Sequence, residues 1–209
     1  MNGADAENWA WGQKIAEQAT QKGKDEVREN AKNEQTKQER WERNYRQFLV
    51  IAIGESKNAD DASGIACVML NRMAIKNTTF DDEDWLYKIS THHKGKTVDK
   101  DIHTSFNAYK TGDYDVLINM SDDSFYKSNS KWANRLLGAE SGYEEYLDGF
   151  DASEGAYFWN ATAQKNSTSD IGANFKALNN GVFSEVFNTG DDGTTFFKYS
   201  DPNKKQQWP

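Results

Sequence analysis

The run Phe48-Leu49-Val50-Ile51-Ala52-Ile53-Gly54-Glu55-Ser56 is the first strongly apolar stretch of the chain, and it ends in a Gly-Glu pair. A second apolar run, Gly64-Ile65-Ala66-Cys67-Val68-Met69-Leu70-Asn71-Arg72, follows eight residues after Ser56. Upstream, Trp41, Tyr45, Phe48, Leu49 and Ala52 fall at i, i+4, i+7, i+8 and i+11, the spacing of one helix face. Gly54 stands where glycine commonly stops a helix. Lys57 to Ser63 reads as a polar loop in which Asp60, Asp61 and Ser63 are each N-cap candidates. The next helix, about 61–75, carries Ile65, Val68, Met69 and Arg72 at helical spacing and is apolar on most sides, which predicts a core position. Glu55 then sits at the end of a core-facing stripe. Desolvation and the negative end of the helix dipole both disfavour a charged carboxylate, and a carboxyl that holds its proton near neutral pH can act as a general acid. The bland alternative for Glu55 is an exposed helix-end residue.

Residues 6–40 differ from this in kind. They are rich in Glu, Lys, Gln, Arg, Asn and Ala, contain no Pro, and offer few apolar groups beyond Trp9, Trp11, Ile15 and Val27. Opposite charges recur at helical spacing, as in Lys22 with Glu26 and Glu34 with Lys37. A helix that is polar all round projects into solvent or packs weakly. The predicted organisation is a charged helical extension over 1–40, in which Trp9 and Trp11 are candidate anchors for a partner, and one domain over 41–209.

Within that domain the sequence predicts a helix start over Phe80–Leu86, a loop at Thr91–Lys96, and a helix from Asp101 ending near Gly112. Asp115–Asn119 is short and apolar. Trp132–Gly138 is helical, with Tyr143–Leu147 as its continuation or a separate turn. Phe150 to Asn160 passes from a turn into an aromatic strand, and 161–174 reads as polar loop. Val182–Phe187 and Thr194–Tyr199 flank a Gly- and Asp-rich turn, which predicts a hairpin. The fold class is helix-dominated α+β.

Composition removes several functions. A net charge of -8 and a pI near 5.0 disfavour a nucleic-acid backbone, whose binders normally show a basic face. No apolar run approaches a membrane span, and no basic amphipathic segment suits a membrane surface. A single Cys, Cys67, forbids an internal disulfide. The start Met1-Asn2-Gly3-Ala4-Asp5-Ala6-Glu7-Asn8 lacks the basic and apolar regions of a secretory signal. The expectation is synthesis in the cytoplasm and, for any substrate outside it, delivery by another route.

Three stretches in order carry a resemblance. Gly54-Glu55, a short polar loop and an apolar helix ending Leu70-Asn71-Arg72 come first; Asp151-Ala152-Ser153-Glu154-Gly155-Ala156-Tyr157-Phe158-Trp159-Asn160 and Gly193-Thr194-Thr195-Phe196-Phe197-Lys198-Tyr199 follow. Together they resemble the spore cortex-lytic type of cell wall hydrolase, whose fold is lysozyme-like. The departures are Ser56-Lys57 where that family has Ala-Arg, and Thr194 or Thr195 where it has His. The resemblance implies a muramidase or lytic transglycosylase acting on the glycan strands of peptidoglycan, with Glu55 as catalytic acid and no cofactor. Asp60 and Asp61 are candidates for a second carboxylate; Ser105, Phe106, Tyr157 and Asn160 are candidate substrate contacts. A wall substrate with no visible leader suits an injected toxin or a phage-related lysin, acting at the wall or periplasm. An immunity protein or secretion carrier is then the expected protein partner. Alternation along a strand puts Tyr157 and Trp159 on one face and Asn160 on the other.

The rivals are weaker. Cys67 with a His would suit a papain-like peptidase or amidase, but it lies between Ala66 and Val68 in an apolar helix, where a buried inert thiol is the default. His92, His93, His103, Asp99 and Asp101 lack the spacing of a zinc site. Ser121-Asp122-Asp123 and Asp191-Asp192-Gly193 do not complete a calcium loop. No metal is expected. A non-catalytic lysozyme-like module that binds glycan or protein is the competing class.

Overall fold

The computed structural model describes residues 3–90, 106–110, 113–127, 132–166, 173–201 and 203. The first element, α1 (Gly3–Glu55), is a single helix of 53 residues. The boundary predicted near residue 41 is therefore not a break. With no Pro and a run of good helix formers, nothing on either side of Trp41 stops the helix, and what changes there is burial. Every described side chain from Trp11 to Glu39 is exposed, whereas Asn44 and Phe48 to Ile53 are buried. The exposed arm is laced by local pairs such as Lys22–Glu26 at 3.8 Å and a Gln35 Nε2 to Glu39 Oε1 bond of 2.8 Å.

After a connection of only Ser56 to Asn58 comes α2 (Ala59–Lys76), which starts earlier than the sequence suggests. Asn58, not Asp60, Asp61 or Ser63, is the cap: its backbone is extended, and its Oδ1 accepts the Asp61 N–H at 2.8 Å. Asp60 and Asp61 instead occupy the first turn, where negative charge suits the dipole. The helix ends at Asn77, whose left-handed backbone (φ 48°) turns its N–H back onto Met73 and Ala74.

Among the described residues, four short pieces follow: α3 (Trp85–Ile89), a 3-10 turn at Asn107–Lys110, α4 (Asp113–Ile118) and α5 (Asp122–Lys127). The 3-10 turn stands within the helix expected from Asp101 to near Gly112; 101–105 and 111–112 lie outside the described residues. Ser121 is a cap rather than a calcium ligand, since its Oγ accepts the Ser124 N–H. Then α6 (Ala133–Leu147) runs unbroken through Tyr143–Leu147. It packs directly on α2. A Cβ at Gly138 would lie 2.1 Å from the Ala59 carbonyl oxygen, and one at Gly142 would lie 2.7 Å from that of Ser63. Glycine at both positions lets the two backbones meet. The core is built around Phe80, whose ring lies 5.3 Å from Phe48 and 5.2 Å from Trp85.

The sheet is antiparallel, in the order β1 (Phe158–Ala161), β3 (Thr194–Tyr199), β2 (Phe183–Asn188). The predicted hairpin is β2–β3, and β1 pairs with β3 so that Trp159 opposes Phe196. One face lies against the helices, where Gly64 leaves room for the Phe196 ring. The other carries Phe158, Phe183 and Phe197, covered by α7 (Ala173–Asn179) through Phe175. The span 161–174 is thus not simply loop: it includes a 3-10 turn at Thr162–Asn166 and the start of α7. The described residues form a helix-dominated α+β fold in which no helix is long and apolar enough to cross a membrane.

Candidate active site

Glu55 is the last residue of α1 and is half-buried. Its Oε1 accepts the Ala108 backbone N–H at 2.6 Å, and its Oε2 accepts the Trp159 indole N–H at 3.2 Å. Gly54 explains the first contact. A Cβ there would sit 2.7 Å from the Ala108 Cβ and 3.2 Å from its Cα, so only glycine lets the 3-10 turn come close enough to reach the carboxylate. The Gly-Glu pair is one device: the glycine admits the turn, and the glutamate takes its N–H.

The second contact is organised from α2. Arg72 is buried, and its Nε donates to the Tyr157 carbonyl at 2.8 Å. The guanidinium carbon lies 4.6 Å from the Trp159 ring centroid, a cation–π distance. Burial pushes the Arg72 guanidinium down to about 9, against the opposing pull of the Glu55 charge, so it remains protonated at neutral pH. Beside it, Asn71 Nδ2 donates to Asp151 Oδ2, Ser153 Oγ and the Ala156 carbonyl at 2.9, 3.1 and 3.1 Å, and its Oδ1 accepts the Tyr146 hydroxyl. Asp151 in turn accepts the Ser153 and Gly155 N–H groups, closing a tight turn in which Glu154 and Gly155 are both left-handed. The neighbours Asn71 and Arg72 therefore fasten the whole Asp151–Trp159 segment to α2. Gly54-Glu55, Leu70–Arg72 and Asp151–Asn160 meet in space, and Gly193–Tyr199 joins them as the strand beside β1.

The remaining candidates fall in different places. Phe106 is buried and its ring stacks on Trp159 at 6.2 Å, so it backs the site from within the core. Ser105 lies outside the described residues, as do His92, His93, Asp99, Asp101 and His103. Tyr157 stands just before β1, its N–H donating to the Phe197 carbonyl at 2.9 Å, and lines a depression of about 420 Å³ with Glu154, Ser184 and Tyr199. Burial, and secondarily Asp151, push its phenol up. Asn160 faces the other way from Trp159 and bonds Gln164 at 2.6 Å, so the strand does not bring it to Glu55. Asp60 is exposed and lines a separate groove of about 580 Å³ between α2 and α6, with Leu137, Gly138 and Phe150. Asp61 is fully buried and turned toward the β2–β3 turn. Its Oδ1 accepts the Thr194 N–H at 3.0 Å and the Thr189 hydroxyl, and its Oδ2 accepts the Lys57 N–H at 3.1 Å.

No protein-family model, curated protein or solved structure matches this chain. The site is therefore judged on its own chemistry. Cys67 is buried with its thiol 3.5 Å from the Gly142 carbonyl, and burial pushes it up to about 12, the reverse of an activated nucleophile. Among the described residues no three His, Cys, Asp or Glu side chains cluster as a metal would require. What the sequence did not single out is Trp159, Arg72 and the Ala108 N–H. The available signal was Arg72 itself, a cation at the helical spacing of the apolar positions Ile65, Val68 and Met69.

Proposed function

We propose that the chain cleaves the glycan strands of peptidoglycan, with Glu55 as general acid and base in a lysozyme-like domain. The observation that supports this most directly is the setting of the carboxylate. It stands at the end of a core helix, and among the described residues it accepts N–H groups from two distant parts of the chain. A catalytic carboxylate must be fixed in this way, because proton transfer falls off steeply with misplacement. In the reaction Glu55 protonates the glycosidic oxygen as the bond to the anomeric carbon breaks.

The fate of that carbon depends on a second group. A two-carboxylate scheme needs a partner facing the same bond. Asp60 opens on another groove, and the oxygens of Asp61 are taken by the β2–β3 turn. This favours attack by the 6-hydroxyl of the muramyl sugar. Its oxygen bonds to the anomeric carbon, its proton passes to Glu55, and an anhydro end results. The reading places the enzyme at the cell wall and admits an immunity protein or secretion carrier as its protein partner.

Clearing of purified cell walls tests the proposal. Wild type should clear them and Glu55→Gln should not; equal clearing by both removes Glu55 from the chemistry. Product mass then separates the two reactions, since an anhydro end is lighter than a hydrolysed one by one water. A folded wild type that clears no wall type points to the glycan- or protein-binding module instead.

A further inference from the structure

Glu55, Trp159 and Arg72 come from α1, β1 and α2, and each is held by the next. The direction of an indole N–H is set by the plane of its ring. The Trp159 plane is fixed by the Arg72 guanidinium at 4.6 Å and by the Phe106 ring at 6.2 Å. Phe106 immediately precedes the 3-10 turn that supplies the other donor, Ala108. These two described donors to Glu55 are therefore linked through a stacked pair of rings.

Arg72 also holds the strand itself, through the Tyr157 carbonyl at 2.8 Å and the Ile89 carbonyl at 3.4 Å. Burying a guanidinium is costly, and an apolar side chain of similar volume is often better tolerated where only packing is needed. Arginine alone offers a flat face for the indole together with in-plane donors for the carbonyls; a lysine ammonium cannot do both. Its positive charge also acts on Glu55.

We infer that Arg72 is a positioning residue for Glu55, acting through the Trp159 indole. This rests on the reading of Glu55 as the general acid and base. The test compares wild type with Arg72→Lys, Arg72→Met and Trp159→Phe, each first shown to be folded by its thermal transition. Two readouts are taken: the pH profile of wall clearing, and the indole N–H resonance of Trp159 across pH.

Trp159→Phe should lower clearing at least tenfold and move the alkaline limb of the profile upward, because the carboxylate has lost a donor that favours its charged form, so the acid keeps its proton to higher pH. Arg72→Met should do the same, while Arg72→Lys, which keeps the charge, should lose rate with a smaller movement of the limb. In wild type the Trp159 resonance should titrate. Glu55→Gln should abolish that titration, and Arg72→Met should weaken it. Rate losses with an unmoved pH profile and an unaltered resonance would mean that Arg72 only stabilises the fold, and would overturn the inference. If wild type clears no walls, the enzymatic reading fails by itself, and the resonance still decides the positioning claim: a Trp159 signal that does not titrate, or titrates equally in Arg72→Met, overturns it.

Discussion

Replacing Gly54 with Ala gives the sharpest test of the site geometry, because two effects of opposite sign compete. Alanine within a helix is favoured over glycine by at most about 0.5–1 kcal/mol, so with nothing nearby the variant would be the more stable protein. Here the new Cβ would lie 2.7 Å from the Ala108 Cβ. An ordinary carbon contact is about 3.5–4.0 Å, so the 3-10 turn or the end of α1 must retreat by roughly 1 Å. The Ala108 N–H bond to Glu55 is now 2.6 Å. A retreat of that size stretches it to about the limit of a hydrogen bond. If the turn holds its place, overpacking costs about 1–3 kcal/mol; if it yields, a charge-assisted bond worth about 1.5–3 kcal/mol is lost. After the helix gain is subtracted, the variant should be about 0–2.5 kcal/mol less stable than wild type in urea unfolding. Wall clearing should fall by about a hundredfold, the usual penalty for an ångström-scale misplacement. A Gly54→Ala protein more stable than wild type, with undiminished clearing, would refute the close approach and with it the role given to the Gly-Glu pair.

Asp61→Ala strips the acceptor from the buried Thr194 N–H and unfastens the β2–β3 turn from α2. Urea unfolding should show a loss of about 3 kcal/mol, and an unchanged midpoint would mean the turn is held by other means. Cys67 should resist alkylation in the native protein and react fully in denaturant, as followed by thiol titration; rapid native labelling would contradict its burial. Glu140 on α6 has its carboxyl pushed up by burial and then by Glu144. A raised folded value means that this group favours the fold below the ordinary carboxylate range and that this contribution is lost as pH rises through the folded value. Glu140→Gln should therefore raise Tm at pH ~7 and lose that advantage below pH ~4, while an equal rise at both pH values would exclude titration as the cause.

The parts of the fold that were legible are those whose signal is local. The Trp41–Ala52 stripe, the apolar centre of α2 and the β2–β3 hairpin each declare themselves within about ten residues. The N-cap was misplaced because Asp60 and Asp61 look like capping groups by type, while Asn58 takes the role through its extended backbone. The helix α7 was missed because seven residues carry too few apolar positions to show a period; Phe175 is its buried anchor. At the site, alternation was expected to set Trp159 beside Tyr157 on one face, but the strand begins only at Phe158. That Trp159 rather than Tyr157 reaches Glu55 depends on pairing across more than a hundred positions, which no local pattern encodes. Asp61 was a reasonable second carboxylate by proximity in sequence, but its direction is set by Thr189 and Thr194, far along the chain.

The unbroken helix α1 has a mechanical consequence. At 1.5 Å per residue its 53 residues make a rod of roughly 80 Å. Its far portion touches solvent, and its last residue is Glu55. No loop or proline separates the two. An object that grips the rod near Trp11 therefore sets both the reach and the heading of the carboxylate at the other end. Rotation of the arm about its axis is rotation of Glu55, as with a key whose bit is cut at its tip.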